Sequence, residues 1–290
     1  TTGNGSNTAM GYQSLADCNT GTYNTTLGFR AGMNATTMYG STIVGSGALA
    51  SGTATAYYNN IFGMNAGIDI TGGGYNQIMG FEAGYVMTTT KRTILIGHQV
   101  GKAINSTDAD GTVGIGYQAL TGLTDGQMNT AIGYEAGKVM NTQNYNTFIG
   151  YQSGRATTGS GNTAIGKYSM YEGANADNNT AIGAGALQNV NGGDNNTAVG
   201  TSALNAQTSG NDNVALGDGA GLSSTIGLEN VMVGKFAGKP LTSGDGNVII
   251  GYGSGNTIDV GRRNTVIGKN ADTSSANALD QIAIGRDATG

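Results

Sequence analysis

Short apolar stretches that end in glycine recur along the whole chain at nearly constant spacing. The glycines are Gly11, Gly28, Gly45, Gly63, Gly80, Gly97, Gly116, Gly133, Gly150, Gly166, Gly183, Gly200, Gly217, Gly234, Gly251, Gly268 and Gly285. Thirteen of the sixteen intervals are 17 residues, and the others are 18, 19 and 16. A fixed internal period of this size marks a repeat architecture. With each of these glycines as position 0, position −1 is apolar in all seventeen copies, from Met10 and Leu27 to Ile284. Position +3 is Ala or Ser in sixteen copies, position −4 is Asn in thirteen, and a further glycine recurs at +10.

The segment from −4 to −1 is too short for a helix and rich in Thr, Ile and Val, so it predicts a strand of four or five residues. A second apolar stretch follows the glycine, often as Tyr-Gln-Ala-Leu or Tyr-Glu-Ala-Gly, and reaches an aliphatic residue at +7 in copies such as Ile70, Met87, Ile104, Leu123, Val190 and Ile258. Two short stretches separated by turns suit one coil of a narrow solenoid, each coil pairing in parallel with the next. The fold class read from this pattern is all-β: a parallel β-solenoid of about seventeen coils, forming one repeat domain over 1–290. Like residues then stack about 4.8 Å apart, which makes a rod of roughly 80 Å. The −1 row is expected to fill the interior, the Asn row at −4 to form an amide ladder, and the glycines at 0 and +10 to permit turns that L-residues resist.

Alternation of strand side chains puts position −2 on the face opposite −1. That face is apolar too: Ile43, Ile61, Ile78, Leu95, Phe148, Met232, Ile249 and Val266, with Ala in most other copies and only Thr26 and Gly114 breaking the run. A strand apolar on both faces is usually buried on both, and a long exposed apolar stripe exceeds what a soluble monomer tolerates. The expectation is a homo-oligomer, most simply a trimer, held through the −2 row.

Composition changes this picture only by exclusion. The chain has 53 glycines, one proline and 11% charged residues, a composition that without periodicity would read as disordered linker. A net charge of −5 offers no footprint for a nucleic-acid backbone. No apolar run approaches the ~20 residues of a membrane-spanning helix. Thr1-Thr2-Gly3-Asn4-Gly5 is already repeat-like and reads as no signal peptide. Cys18 is the only cysteine, so no disulfide framework is implied.

The recurring Asn-Thr-Ala-Ile-Gly motif followed by x-x-Ala, as at Asn179–Gly183, resembles the head repeats of YadA-type trimeric autotransporter adhesins. It is also similar to arrays in phage tail fibres and in secreted proteins with a C-terminal self-cleaving chaperone. The resemblance spans all 290 residues and implies a left-handed β-roll that trimerises through its inner strands. The repeat is longer than the family's, and Thr often stands where the family has Val.

Candidate chemistry is sparse. His98, the single histidine, has no cysteine or second histidine nearby to make a zinc site. Glu82 and Glu135 share position +2 three repeats apart, about 14 Å by strand spacing and too far for a glycosidase pair. Gly217-Asp-Gly219-Ala-Gly221 lacks the lysine and helix of a phosphate loop, and the Asp-Gly pairs at Asp110, Asp125, Asp218 and Asp245 read as turns. An aromatic row at +1 includes Tyr12, Phe29, Phe81, Tyr117, Tyr134, Tyr151 and Tyr252. Tyr117, Tyr134 and Tyr151 fall on consecutive repeats and are the candidate glycan contacts; the competing reading is that they stack structurally.

The resulting expectation is a structural fibre or adhesin segment, outside a cell or on a virion. It would attach to a host or cell surface through a glycan or protein receptor, with no enzyme activity and no cofactor. The alternative is a self-assembling filament or sheath. A polysaccharide depolymerase and an ice-binding protein rank below these, the latter because Thr at −3 shares the face assigned to the interior.

Overall fold

A computed structural model describes residues 5–51, 55–106 and 109–290; Thr1–Asn4, the start of the repeat-like N-terminus, lie outside the described residues. The chain forms two compact units, Thr1–Asn146 and Thr147–Gly290. Their boundary falls between positions −4 and −3 of a repeat. Each unit is a parallel β-solenoid with one coil per repeat, and the described residues contain no α-helix.

In the first unit the main sheet contains β1 (Thr8–Met10), β2 (Thr25–Leu27), β4 (Thr42–Val44), β6 (Asn60–Phe62), β7 (Gln77–Met79), β8 (Ile94–Ile96), β9 (Val113–Ile115) and β10 (Thr130–Ile132). A smaller sheet pairs β3 (Thr37–Tyr39) with β5 (Thr55–Tyr57). The second unit stacks β11 (Thr147–Ile149), β12 (Thr163–Ile165), β13 (Thr180–Ile182), β14 (Thr197–Val199), β15 (Val214–Leu216), β16 (Val231–Val233), β17 (Val248–Ile250), β18 (Thr265–Ile267) and β19 (Ile282–Ile284). Pairing is parallel and in phase, Thr180 against Thr197 and Ala181 against Ala198. The 18- and 19-residue intervals leave the register unchanged, with Ile43 against Ile61 and Leu95 against Gly114.

Each main-sheet strand has three residues rather than the four or five expected. The stretch after the glycine is not a second strand but a run of turns. Positions +2 and −5 adopt left-handed backbone even where they are not glycine, as at Gln118 (φ 52°), Glu135 (52°), Asn195 (58°) and Asp212 (59°). Turns of neighbouring coils are bonded as strands are: Gly185 donates its N–H to Lys167 O and Leu187 to Ala203 O, at 2.9 and 3.0 Å. Main-chain hydrogen bonding therefore runs round much of the coil and meets the demand that buried backbone groups be paired.

The glycine at 0 is required twice over. At Gly217 φ is 141°, and a Cβ would lie 2.6 Å from the carbonyl oxygen of Gly234 on the next coil. At +10 the constraint is close approach alone. Gly227 has no positive φ, but a Cβ there would meet the carbonyl oxygen of Gly244 at 2.6 Å. The turn argument thus holds at 0 and is replaced by packing at +10.

The interior belongs to position −2, not −1. Every −2 residue from Thr26 to Ala283 is buried, including Ile43, Ile61, Ile78, Leu95, Phe148, Met232 and Ile249. These side chains are the core of each unit, so the expected oligomer contact through them is corrected. The +3 alanines and +7 residues such as Ile70, Ile104 and Ile258 are buried with them. Position +4 adjoins both rows: a Cβ at Gly67 would meet the Ile70 and Ile61 side chains at 2.7 and 3.3 Å. In most coils size at −2 is balanced at +4. Ile61, Ile78, Leu95, Phe148, Met232 and Ile249 face glycines at +4, whereas Gly114, Ala164, Ala181 and Ala198 face Leu120, Met170, Leu187 and Leu204. A Cβ at Gly154 would meet the Phe148 ring at 2.5 Å. In these ten coils one of the two positions is large and the other small, as close packing favours. Ile43 and Leu49 are both large and fully buried in one coil, and Ala131 with Gly137 and Ala215 with Gly221 are both small.

Position −4 shares the inward face with −2, and its asparagines form the expected ladder. In the second unit the N–H groups of Asn213, Asn230, Asn247 and Asn264 donate to the Oδ1 of the preceding asparagine at 2.9–3.0 Å. Their Nδ2 groups donate both to that Oδ1 and to the +10 carbonyl of the same repeat, as Asn213 does to Gly227 O at 2.7 Å. The polar interior is thereby satisfied while the aliphatic interior is filled.

Candidate functional site

With −2 and −4 directed inward, the alternation of the strand turns −3 and −1 to the outside. The candidate site is therefore the outer face of the sheet. In the first unit it carries Met10, Leu27, Val44, Phe62, Met79, Ile96, Ile115 and Ile132, none buried, with Met79 49% and Ile96 37% exposed. In the second it carries Ile149, Ile165, Ile182, Val199, Leu216, Val233, Ile250, Ile267 and Ile284, also unburied, with Ile182 and Leu216 38% exposed. An uninterrupted apolar row per unit is unusual for water-facing surface, where apolar residues normally stand singly.

The two units differ in what borders this row at +1. In the first unit the border is aromatic. Tyr12 stacks on Phe29 at 5.6 Å, and Phe81, His98, Tyr117 and Tyr134 form one stack with centroids 5.1–5.2 Å apart. The second unit mixes charge with rings there: Lys167 lies over the rings of Tyr151 and Tyr168, Lys269 over Tyr252, and Lys235 pairs with Asp218 at 3.0 Å.

Tyr117, Tyr134 and Tyr151 are all exposed. Tyr117 and Tyr134 lie ring on ring, 10° from parallel. Tyr151 belongs to the second unit and meets Tyr168 edge-on at 5.4 Å. A sugar binds an aromatic ring through its face, and the facing sides of Tyr117 and Tyr134 are occupied by each other. What the stack offers is ring edges and hydroxyls.

The remaining candidates find structural places. His98 is sandwiched between Phe81 and Tyr117, and no group of three or more metal-ligating side chains occurs among the described residues. Glu82 accepts hydrogen bonds from Lys102 at 2.6 Å and Gln99 at 2.9 Å. The Lys102 bond, then the Gln99 bond, hold its carboxyl below the ordinary carboxylate range. Glu135 pairs with Lys138 at 2.7 Å. Gly219 and Gly221 occupy the left-handed +2 and +4 positions, so that glycine cluster is repeat geometry. Asp110 and Asp245 accept the N–H groups of Lys91 and Leu228 from the preceding coil. Burial pushes the Cys18 thiol up from its usual pKa.

The outer position of −1 was hidden from the residue pattern because both strand faces are apolar. The signal that points to it is the size balance between −2 and +4 in most coils, which a shared interior explains. No protein-family model matches the chain, and comparison with curated proteins gives no match either. The resemblance to adhesin and tail-fibre repeats rests on the motif alone.

Proposed function

We propose that this chain is a structural attachment segment, part of a fibre or adhesin outside the cell or on a virion, that associates with copies of itself through the outer sheet face. The observation that carries this reading is the unburied apolar row at −1 in each unit. Burying it removes apolar surface from water at about 25 cal/mol per Å², and the in-phase strands repeat the same surface at every coil. Three copies around an axis is the arrangement that the repeat resemblance implies. Receptor contact then falls to surfaces outside the association face, and no catalytic role is assigned to the chain. Sedimentation analysis of the purified chain at micromolar concentration is expected to give a trimer. A soluble, stable monomer overturns the association.

A second reading has one observation in its favour. Thr163, Thr180 and Thr197 stand on consecutive coils beside Ile165, Ile182 and Val199, and this face is outward rather than inward as first expected. Such a regular Thr-x-Ile surface is the kind that orders water against ice. Thermal hysteresis of a dilute solution tests it, and its absence removes the reading.

A further inference from the structure

The coil built on Gly45 carries short side chains at four turn positions where both neighbouring coils carry longer ones. At +1 Ser46 stands between Phe29 and Met64, and at +2 Gly47 stands between Arg30 and Asn65. At +5 Ala50 stands between Met33 and Ile68, and at +6 Ser51 stands between Asn34 and Asp69. The three coils keep their register past the sheet: Gly47 N–H donates to Phe29 O and Asn65 N–H to Ser46 O, at 2.9 and 3.0 Å. Like positions two coils apart are about 10 Å from each other, so the short coil leaves a gap of one layer between longer side chains. The gap is a recess of about 460 Å³, lined by Ala50, by Phe29, Arg30 and Met33 on one side and by Asn65 and Ile68 on the other. That volume is within the range of small-ligand sites.

The lining carries charge of one sign. Arg30 is its single charged residue, and no acidic side chain borders the recess. The guanidinium is held 5.0 Å from the Phe29 ring centroid, with Nε donating to Gln13 Oε1 at 2.9 Å. It pairs with no carboxylate among the described residues, which leaves its Nη groups to a ligand. A Cβ at Gly47 would stand 2.5 Å from Asn65 Oδ1, so the Asn65 amide reaches over that glycine into the recess. The side chains of Asn65, Ser46 and Ser51 have no hydrogen-bond partner among the described residues. Met33 and Ile68, both half-buried, add an apolar surface to each side.

We propose that this recess binds a carboxylated sugar residue, a sialic or uronic acid. A guanidinium offers a carboxylate parallel N–H bonds. Hydroxyls and an amide, each both donor and acceptor, meet ring hydroxyls, and the C–H surfaces of the sugar lie against Met33 and Ile68. One cation without an acid in the lining favours a sugar acid over its neutral counterpart. Positions +2, +5 and +6 lie beyond the +1 border of the association face, where receptor contact is expected. The inference rests on the attachment reading and gives it a ligand class.

The test is isothermal titration of the whole chain with the methyl glycosides of N-acetylneuraminic acid and glucuronic acid. The methyl ester of each removes the charge alone. Arg30→Gln places at +2 the residue that Gln13, Gln99 and Gln118 supply in the same left-handed backbone. Ser46→Tyr places at +1 the residue of Tyr12 and Tyr117 and fills the gap. Saturable binding of at least one acid is expected, weakened about tenfold or more in its ester and in Arg30→Gln. Ser46→Tyr should abolish binding, and both variants should keep the melting temperature. No binding of either acid, an ester bound as tightly as its acid, or unchanged affinity in either variant overturns the site. The ester comparison uses the wild-type chain and stands whatever the variants do. Sedimentation of the same samples separates the two proposals. A wild-type trimer that binds neither acid sinks the site alone, and a monomer that binds one sinks the association alone.

Discussion

At the scale of single residues, the buried polar groups carry the most sharply defined consequences. Asn213 donates to Asn196 and Gly227 and accepts from Asn230. Asn213→Ala strands several buried partners at about 1–3 kcal/mol each, so a loss of about 3 kcal/mol or more is expected in denaturant unfolding of the chain. Two groups in the same unit run the other way. Gln207 Oε1 and Ser224 Oγ are buried without a hydrogen-bond partner, at the +7 position that Val190 and Leu241 fill elsewhere. Gln207→Leu should therefore stabilise by about 1 kcal/mol; a loss of stability would show that the amide has a role in the core. Acid acts through groups such as Glu82. Its lowered pKa, due first to Lys102 and then to Gln99, means that the contribution is present above the ordinary carboxylate pKa and disappears as pH falls through the lowered value. Glu82→Gln should therefore lower stability slightly at neutral pH, leave it unchanged below the lowered pKa, and so flatten the acid limb of a stability–pH profile.

At the scale of one coil, the unit of design is the pair of positions −2 and +4. Phe148 fills the interior of its coil because Gly154 leaves room for the ring, and Ala181 is tolerated because Leu187 fills the space instead. Phe148→Ala opens a cavity and should cost about 3–5 kcal/mol. Adding Gly154→Leu to it should recover part of that loss, although the left-handed backbone at 154 (φ 58°) limits the recovery. Urea melts of the single and double variants measure the coupling, and additive effects would show that the two positions do not share one space. A strand of three residues has little stability of its own; it persists because each coil is bonded to the next through both strand and turns.

At the scale of the whole molecule, the two faces of the strand should answer substitution differently. Ala198→Lys puts a charge in the interior and should unfold its unit. Ile182→Lys lies on the outer face, 38% exposed, and should leave the circular dichroism spectrum unchanged while lowering the sedimentation coefficient. An unaltered sedimentation coefficient would move association to another surface. The units also differ in surface chemistry. The first borders its apolar row with a ring stack, the second with lysines and Asp218 among tyrosines.

The repeat period, the parallel coil, the asparagine ladder and the glycine at 0 are legible in the residues alone, because each is a local demand repeated seventeen times. Thr180 and Ile182 each read as strand whichever way they point. Which of the two apolar faces lies inside is not local. It depends on how far the chain turns between −1 and +4, and the left-handed backbone at +2 and +4 settles it by bringing Leu187 over Ala181 rather than Ile182. The tertiary structure alone therefore turned −1 outward and made Ile61, Phe148 and Met232 core. Close packing is the reason: −2, +3, +4 and +7 fill the narrow coil between them, and the apolar residue at −1 is left on the outside.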